Sequence, residues 1–474
     1  MKKHGLLKIL GIVIFLIIVL SYILNGRSGV KAYVPIGDAA LYIQSSLQYF
    51  FYVIIYVLAI GGFYGVLNKT PAYKKLLDNI VTSVKPLEKK FIFFVIIIFA
   101  VIASLTGMTL PLLIFVPFVV SIILLLGYDK LVAISATIIS IMVGYTGGVF
   151  VSVLNPNTYE TSTFESLVGA ETKFANIFPK LLLLFAGIAL LVYFVNKHIK
   201  NIADKKVKYE LNDTKELLIN EVKGNYKDIK TWPLITILSI ILVILILGMI
   251  PWNSLFGIKV FTKFHEWLIG LSINEFAIIP NVISSNFPAL GEWTASGDSL
   301  VYMMMTIILV VATLIISLIS RLNIDEATDA FVEGMKKNLA PAGLIAVAYG
   351  ILVCAYNNGF LEALITSYGK FNYGVSSLLT FLGCVLNVDI YYIVSGVFSP
   401  ILNTVTDESI YSSLAILFQG IYGVFSIVGP TSLILIFGLS YMDIPYTTYL
   451  KYIWRFVLSL IILVALVTLL VVVL

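Results

Sequence analysis

Charge is scarce in this 474-residue chain: 12% of its residues are Asp, Glu, Lys or Arg, where a soluble globular protein carries about a quarter. No stretch is polar enough to form a soluble domain, so that class is excluded. Cysteine is nearly absent. Cys354 and Cys384 both lie in apolar runs, which leaves no disulfide framework and no cysteine metal site. Histidine is as scarce: His4, His198 and His265 fall near the expected membrane edges, so no histidine proton relay is read. There is no Ser-His-Asp set, no H-E-x-x-H and no P-loop, which argues against a membrane protease or an ATP-driven pump. The chain is read as a non-enzyme without a resident cofactor. Net charge is only +5 and the lysines sit mainly in loops, so the basic balance reports topology and not nucleic-acid binding.

What the chain has is apolar length. Hydrophobic residues make up 59% of it, in runs near the length that a helix needs to cross a bilayer. Crossings are expected at about 7–24, 47–67, 131–153, 177–195, 232–250, 301–319, 341–357, 411–440 and 451–474. The first follows Lys2, Lys3 and Lys8 like a signal peptide. Its apolar stretch is long, however, and Asn25-Gly26-Arg27-Ser28 offers no cleavage site, so it is read as a retained anchor.

The lysines orient these crossings. Residues 68–90 carry Lys69, Lys74, Lys75, Lys85, Lys89 and Lys90, and the 196–231 loop carries nine lysines, so both are expected in the cytoplasm. The 154–176 stretch carries Glu160, Glu165 and Glu171 against Lys173 and fits the outside. These assignments agree only if 91–126 enters from the cytoplasm and returns to it. That segment is therefore a re-entrant hairpin, broken near Thr106-Gly107-Met108-Thr109 and Pro111. A second Gly- and Pro-interrupted apolar segment, 375–402, is read the same way. The amino terminus is expected in the cytoplasm of an inner-membrane, multi-pass protein, with nine crossings and two hairpins.

The halves repeat. Tyr64-Gly65-Val66-Leu67 recurs as Tyr349-Gly350-Ile351-Leu352, each followed by a polar linker, a hairpin segment and a long crossing with a polar break. The two copies run in opposite directions, the ground plan of many secondary transporters. The expected fold is all-α, with an anchor and external loop in 1–46 and a first inverted repeat in 47–195. A basic loop (196–231) and linking helices with the external stretch 251–300 (232–340) lead to a second repeat in 341–474.

Unwound backbone is tolerated in a membrane where it lines a cavity, so the breaks and hairpin tips are where substrate is sought. Asn155, Asn157 and Thr158 at the first break, with Thr431 and Ser432 at the second, offer uncharged oxygens for Na⁺ or for polar substrate groups. Each is equally readable as a helix cap. Thr106 and Thr109 are the equivalents in the first hairpin. In the second hairpin, Asp389 is the carboxylate set deepest in an apolar stretch, suited to an ammonium, Na⁺ or a proton, and Asn387 is a neighbouring ligand or cap.

Gly61-Gly62-Phe63-Tyr64-Gly65-Val66-Leu67-Asn68-Lys69-Thr70 resembles a signature of the anaerobic C4-dicarboxylate carrier family, notably its branch of basic amino-acid antiporters. Leu126-Gly127-Tyr128-Asp129, Asn155-Pro156 with Thr158, Phe331-Val332-Glu333-Gly334-Met335, Pro430-Thr431-Ser432 and Pro445-Tyr446 fit the same family. The resemblance implies an ion-transporter-superfamily fold with inverted repeats, a scaffold subdomain that dimerises in many members, and elevator-like movement. It leaves Na⁺, H⁺ or exchange open as the coupling mode. The sequence departs from its relatives at the tips: Thr109-Leu110 stands where acidic residues are common, and Asp389-Ile390-Tyr391-Tyr392 replaces a Pro-Ser-Gly-Ser-Gly-like tip. Asp389 without an evident intramembrane Arg or Lys points to amino-acid transport, with arginine/ornithine exchange as its sharpest form. C4-dicarboxylate transport is the alternative, and an accessory membrane protein is the reading from another class.

Overall fold

In hydrocarbon no water satisfies a backbone N–H or C=O, so apolar runs have to form helices along their length. The computed structural model describes every residue except 1–4, 26–32, 108, 150–151, 155–160, 164–175, 205–228, 251, 274–275, 284–289, 292, 294–297, 359–364, 366–370, 387–388 and 474. Among the described residues nine helices are long and apolar enough to cross a bilayer. Their membership differs from the expected nine at two places. The helical stretch 71–106 joins the set because its length and hydropathy match a crossing, although it supplies a hairpin arm. The expected crossing at 131–153 drops out, because its helix stops at Thr146 and a strand begins at Ser152. Gly147 and Gly148, poor helix formers, stand at that stop.

The first half runs α1 (Gly5–Leu24), α2 (Ala39–Tyr49), α3 (Phe51–Lys69), α4 (Pro71–Val84) and α5 (Glu88–Thr106). A 3-10 turn (Leu110–Phe115) then leads into α6 (Val116–Leu125). After it come α7 (Lys130–Thr146, with a π turn at 135–139), the antiparallel strands β1 (Ser152–Leu154) and β2 (Thr161–Thr163), and α8 (Ile177–Ala203). α9 (Trp232–Met249) links the halves. The second half runs α10 (Asp298–Ile319), α11 (Ile324–Lys337), α12 (Leu339–Asn357), α13 (Tyr373–Leu386), α14 (Ile390–Leu402), α15 (Tyr411–Val428), α16 (Leu433–Tyr441) and α17 (Tyr446–Val473).

The basic stretch 68–90 is helical over most of its length. Thr70 caps α4 by accepting from the Tyr73 N–H, and Pro71 at the first helical position lacks the N–H that would be orphaned there. α4 buries Tyr73, Leu76 and Leu77 beside α6 and leaves Asp78 outward.

Both interrupted segments double back. Glu88, which opens α5, lies beside Tyr128 just after α6; burial first, and the Glu88 carboxylate second, hold that phenol above its ordinary pKa. The two arms thus share one end, on the lysine-rich face. From Lys90 to Thr106 the helix rises about 24 Å, less than the roughly 30 Å of hydrocarbon. The second hairpin opens on the other face: the Tyr373 hydroxyl at the start of α13 meets Ser413 Oγ at 2.8 Å, and α14 ends a short loop before that same turn of α15. Hairpins opening on opposite faces are the inverted repeat in structural form.

Helix pairing carries the same inversion. α11 packs across α3, and α2 packs across α12, so each unit's short leading helix lies on the other unit's long one. Gly65 and Gly350, matched in the sequence, sit at these equivalent crossings. Gly65 abuts the backbone of Ala330 and Gly334 in α11, and Gly350 abuts Ile43 in α2. This pairing brings residues 39–49 and 324–337, which precede the expected repeat starts at 47 and 341, into the repeated pattern.

Candidate substrate site at the helix breaks

α5 ends at Thr106 because Gly107 adopts a left-handed conformation (φ 69°), returning its N–H to the Ala103 carbonyl at 2.9 Å. Thr106 is buried and turns its hydroxyl back on the Ile102 carbonyl at 2.8 Å. Thr109 is half-buried; its carbonyl starts the 3-10 turn and its side chain caps nothing. The stitch between hairpin and break is Ser104. Its hydroxyl donates to the Gly147 carbonyl at 3.0 Å, and the Val149 N–H donates to the Ser104 carbonyl at 3.1 Å and to its Oγ at 3.2 Å. The tip of the first hairpin therefore meets the C-terminal end of α7. Asn155, Asn157 and Thr158 lie outside the described residues.

The second half repeats the junction with other groups. The Thr431 hydroxyl, fully buried, donates to the Val385 carbonyl at the tip of α13 (2.9 Å). Ser432 turns its hydroxyl to the Ser426 carbonyl at 2.8 Å and so leaves the first turn of α16 without a side-chain cap. Asp389 is half-buried and caps α14, Oδ1 accepting the Tyr391 N–H at 3.0 Å. Asn387 lies outside the described residues. The two half-helix N-termini thus differ: α14 already meets a carboxylate of the chain, whereas α16 has no side-chain cap from its N-cap residue.

The units also cross. β1, just after the end of α7, lies against the first turn of α14, and α16, after the second break, lies against the 3-10 turn of the first hairpin. From α3, the Tyr56 and Tyr64 hydroxyls hold the Pro111 and Ile114 carbonyls of that turn at 2.8 and 2.6 Å. Gln419, in the middle of α15, donates through Nε2 to the Tyr145 and Gly148 carbonyls at 3.0 and 2.9 Å. Those carbonyls belong to the end of α7, where intrahelical donors run out. Among the described residues, the end of α7, the start of α16 and the flanks of the two tips are thus tied together by backbone-directed hydrogen bonds and cross-contacts.

Sequence reasoning missed two groups here and one at the lysine-rich end of α7. Gln419 was visible as an amide within an apolar helix, and Ser104 as a hydroxyl one turn before a break. His198 was placed at a membrane edge, but α8 runs on to Ala203 and buries it against Asp129, Nε2 to Oδ2 at 3.0 Å. The scarcity of histidine therefore did not exclude a buried His–Asp pair.

A profile of the DcuC family, described as C4-dicarboxylate anaerobic carrier, matches residues 41–473. No curated protein matches the chain. Among solved structures, the chain is similar to the Alcanivorax borkumensis YdaH transporter, described as having an unusual topology. The identity is 13%, the coverage 98% of each chain and the TM-score 0.41.

Proposed function

From the premise that the chain belongs to the C4-dicarboxylate anaerobic carrier family, we propose that it is a secondary carrier moving a C4-dicarboxylate by alternating access. The family match over 41–473 carries this reading, and the site is compatible with it. The uncapped N-terminus of α16 offers N–H groups and a positive dipole end to one carboxylate. Thr431 and Ser432 directly precede it, and the hairpins, opening on opposite faces, supply two gates. The lysine-rich face is assigned to the cytoplasm of an inner membrane, with the amino terminus there.

Amino-acid exchange, the first reading of the sequence, leaned on Asp389. That carboxylate is partly committed as a helix cap, which weakens its claim to be a receptor for ammonium. Proteoliposomes decide between the two. Labelled succinate is expected to accumulate and to be competed by fumarate, with the driving ion read from imposed Na⁺ and pH gradients. Uptake of arginine without succinate would reverse the assignment. Asp389→Asn keeps the cap, since both residues cap equally well, and removes the charge. Succinate uptake by this variant is expected at an equal or lower KM; abolished succinate uptake in a folded variant would show that the charge itself is needed.

A further inference from the structure

The stretch between α9 and α10 is fastened to the bilayer edge. α9 rises about 27 Å over its 18 residues, close to the roughly 30 Å of hydrocarbon. Its last turn therefore reaches the face opposite the lysine-rich one. Both ends of the stretch are tied to that turn. The Trp252 indole N–H donates to the Leu247 carbonyl at 3.0 Å, and the Gly248 carbonyl accepts from the N–H groups of Gly291 and Trp293 at 3.2 and 3.4 Å. The Trp293 ring lies so close to Gly248 that a Cβ there would collide with it. Between these ties runs a short helix, Val260–Ile269. Its Phe261 ring meets Trp252 at 5.5 Å between centroids, which holds the helix at the level where α9 leaves the hydrocarbon.

This helix sorts its side chains. Val260, Phe264 and Trp267 recur at i, i+4 and i+7, which is one stripe of a helix, and they are exposed to 67%, 48% and 60%. Thr262, His265 and Glu266 take the other side. Lys263 borders the stripe and Lys259 stands one turn before it, both exposed. The short antiparallel strands that follow, Ser272–Ile273 and Phe276–Ala277, expose Ile273 and Phe276 as well. In water so much apolar surface on so small an element is unfavourable. Apolar residues with a tryptophan on one face, and lysines beside a polar back, are how a helix lies in a membrane surface. Tryptophan favours the headgroup level. A lysine lays its stem along apolar surface and sends its ammonium outward, where lipid phosphates complement it.

We propose that the helix Val260–Ile269 lies in the plane of the bilayer face opposite the lysine-rich one. Val260, Phe264 and Trp267 sit among lipids at the boundary of headgroups and acyl chains, and Lys259 and Lys263 reach the lipid phosphates. Lipid is favoured over a protein partner because the stripe is tied to the end of a crossing and bordered by lysines, and a lipid surface uses both features. The contact sets the depth of the two crossings on either side, α9 and α10, and does not depend on which solute the carrier moves.

The test places a nitroxide on the full chain in nanodiscs of phosphatidylethanolamine and phosphatidylglycerol. Val260→Cys, Phe264→Cys, Trp267→Cys and Glu266→Cys are labelled one at a time. The native Cys354 and Cys384 are buried, which leaves the label to the introduced thiol. Molecular oxygen, which concentrates in hydrocarbon, and a water-soluble nickel chelate then compete to relax each label. The ratio of oxygen to chelate collisions is expected to be severalfold higher at the three stripe positions than at Glu266→Cys. Chelate exposure at any stripe position as high as at Glu266→Cys would overturn the proposal, because the stripe would then stand in water. Shielding of the stripe from both reagents would overturn it too, by showing a cover of protein, whether a second copy or another segment of this chain. So would oxygen dominating equally at Glu266→Cys, which would submerge the whole helix. Three separate stripe variants keep the test open if one of them does not fold.

Discussion

His198→Ala is expected to destabilise the protein by about 3 kcal/mol, the cost of leaving a buried carboxylate oxygen without its hydrogen-bond partner. Asp129 has no exposed side-chain surface and His198 has 8%. One carboxylate oxygen caps α7 by accepting the Val132 N–H at 2.9 Å, and the other meets the imidazole at 3.0 Å. The imidazole packs edge-on against Tyr452, 4.8 Å between centroids, and the Tyr452 hydroxyl meets Ser135 Oγ at 2.8 Å. This network fixes the exit of the first hairpin to α7, α8 and α17 together. Without His198 the second carboxylate oxygen loses its partner where water does not reach. Thermal unfolding of purified protein measures the effect, and an unchanged midpoint would contradict it. His198→Leu with Asp129→Leu should cost clearly less than the sum of the single changes, since removing both partners leaves no stranded charge.

Gly334→Leu is expected to be as damaging for a different reason. A Cβ at Gly334 would collide with the Gly61 carbonyl oxygen, and one at Gly65 with the Ala330 carbonyl oxygen. Both obstacles are backbone, which cannot rotate aside. Within lipid no hydrophobic force drives helices together, so association depends on small residues that let backbones approach. The crossing is also fastened by Asn338, whose Nδ2 donates to the Val57 carbonyl at 2.8 Å. Forcing the helices apart should cost about 3 kcal/mol, the upper part of the usual overpacking range, and read out as a lowered unfolding midpoint and loss of the monodisperse peak. Gly343→Ala, where a Cβ meets nothing within 4 Å, is the control and should be neutral or slightly stabilising. Equal behaviour of the two variants would sink the packing argument.

The interruptions of the helices were legible in part. Thr106, Thr431, Ser432 and Asp389 do stand at breaks and tips, because Gly, Pro and polar residues in an apolar run mark where helix stops. Their oxygens, however, are engaged with the protein's own backbone: Thr431 with Val385, Ser432 with Ser426, Asp389 with Tyr391. The carbonyls and N–H groups freed by a break need local partners first, and the sequence does not say which side chain supplies them. The hairpin at 91–126, by contrast, was legible from lysines alone, since the charge on its flanks allows only one return path.

Composition and charge placement by themselves determined that this chain spans a membrane several times, doubles back twice and repeats itself inverted. Those features follow from a solvent that forbids unpaired backbone and from lysines that gather mainly on one side of it. Tertiary structure alone decided which groups meet. Gln419 reaches Gly148 across 271 positions, and His198 reaches Asp129 across 69. Neither pairing leaves a period or a spacing in the chain. It also buried Lys180, which the sequence shows only as a lysine at the start of a crossing. Such contacts arise when helices that formed for the same apolar reason pack in one particular arrangement, and that arrangement is set by where glycines permit close approach.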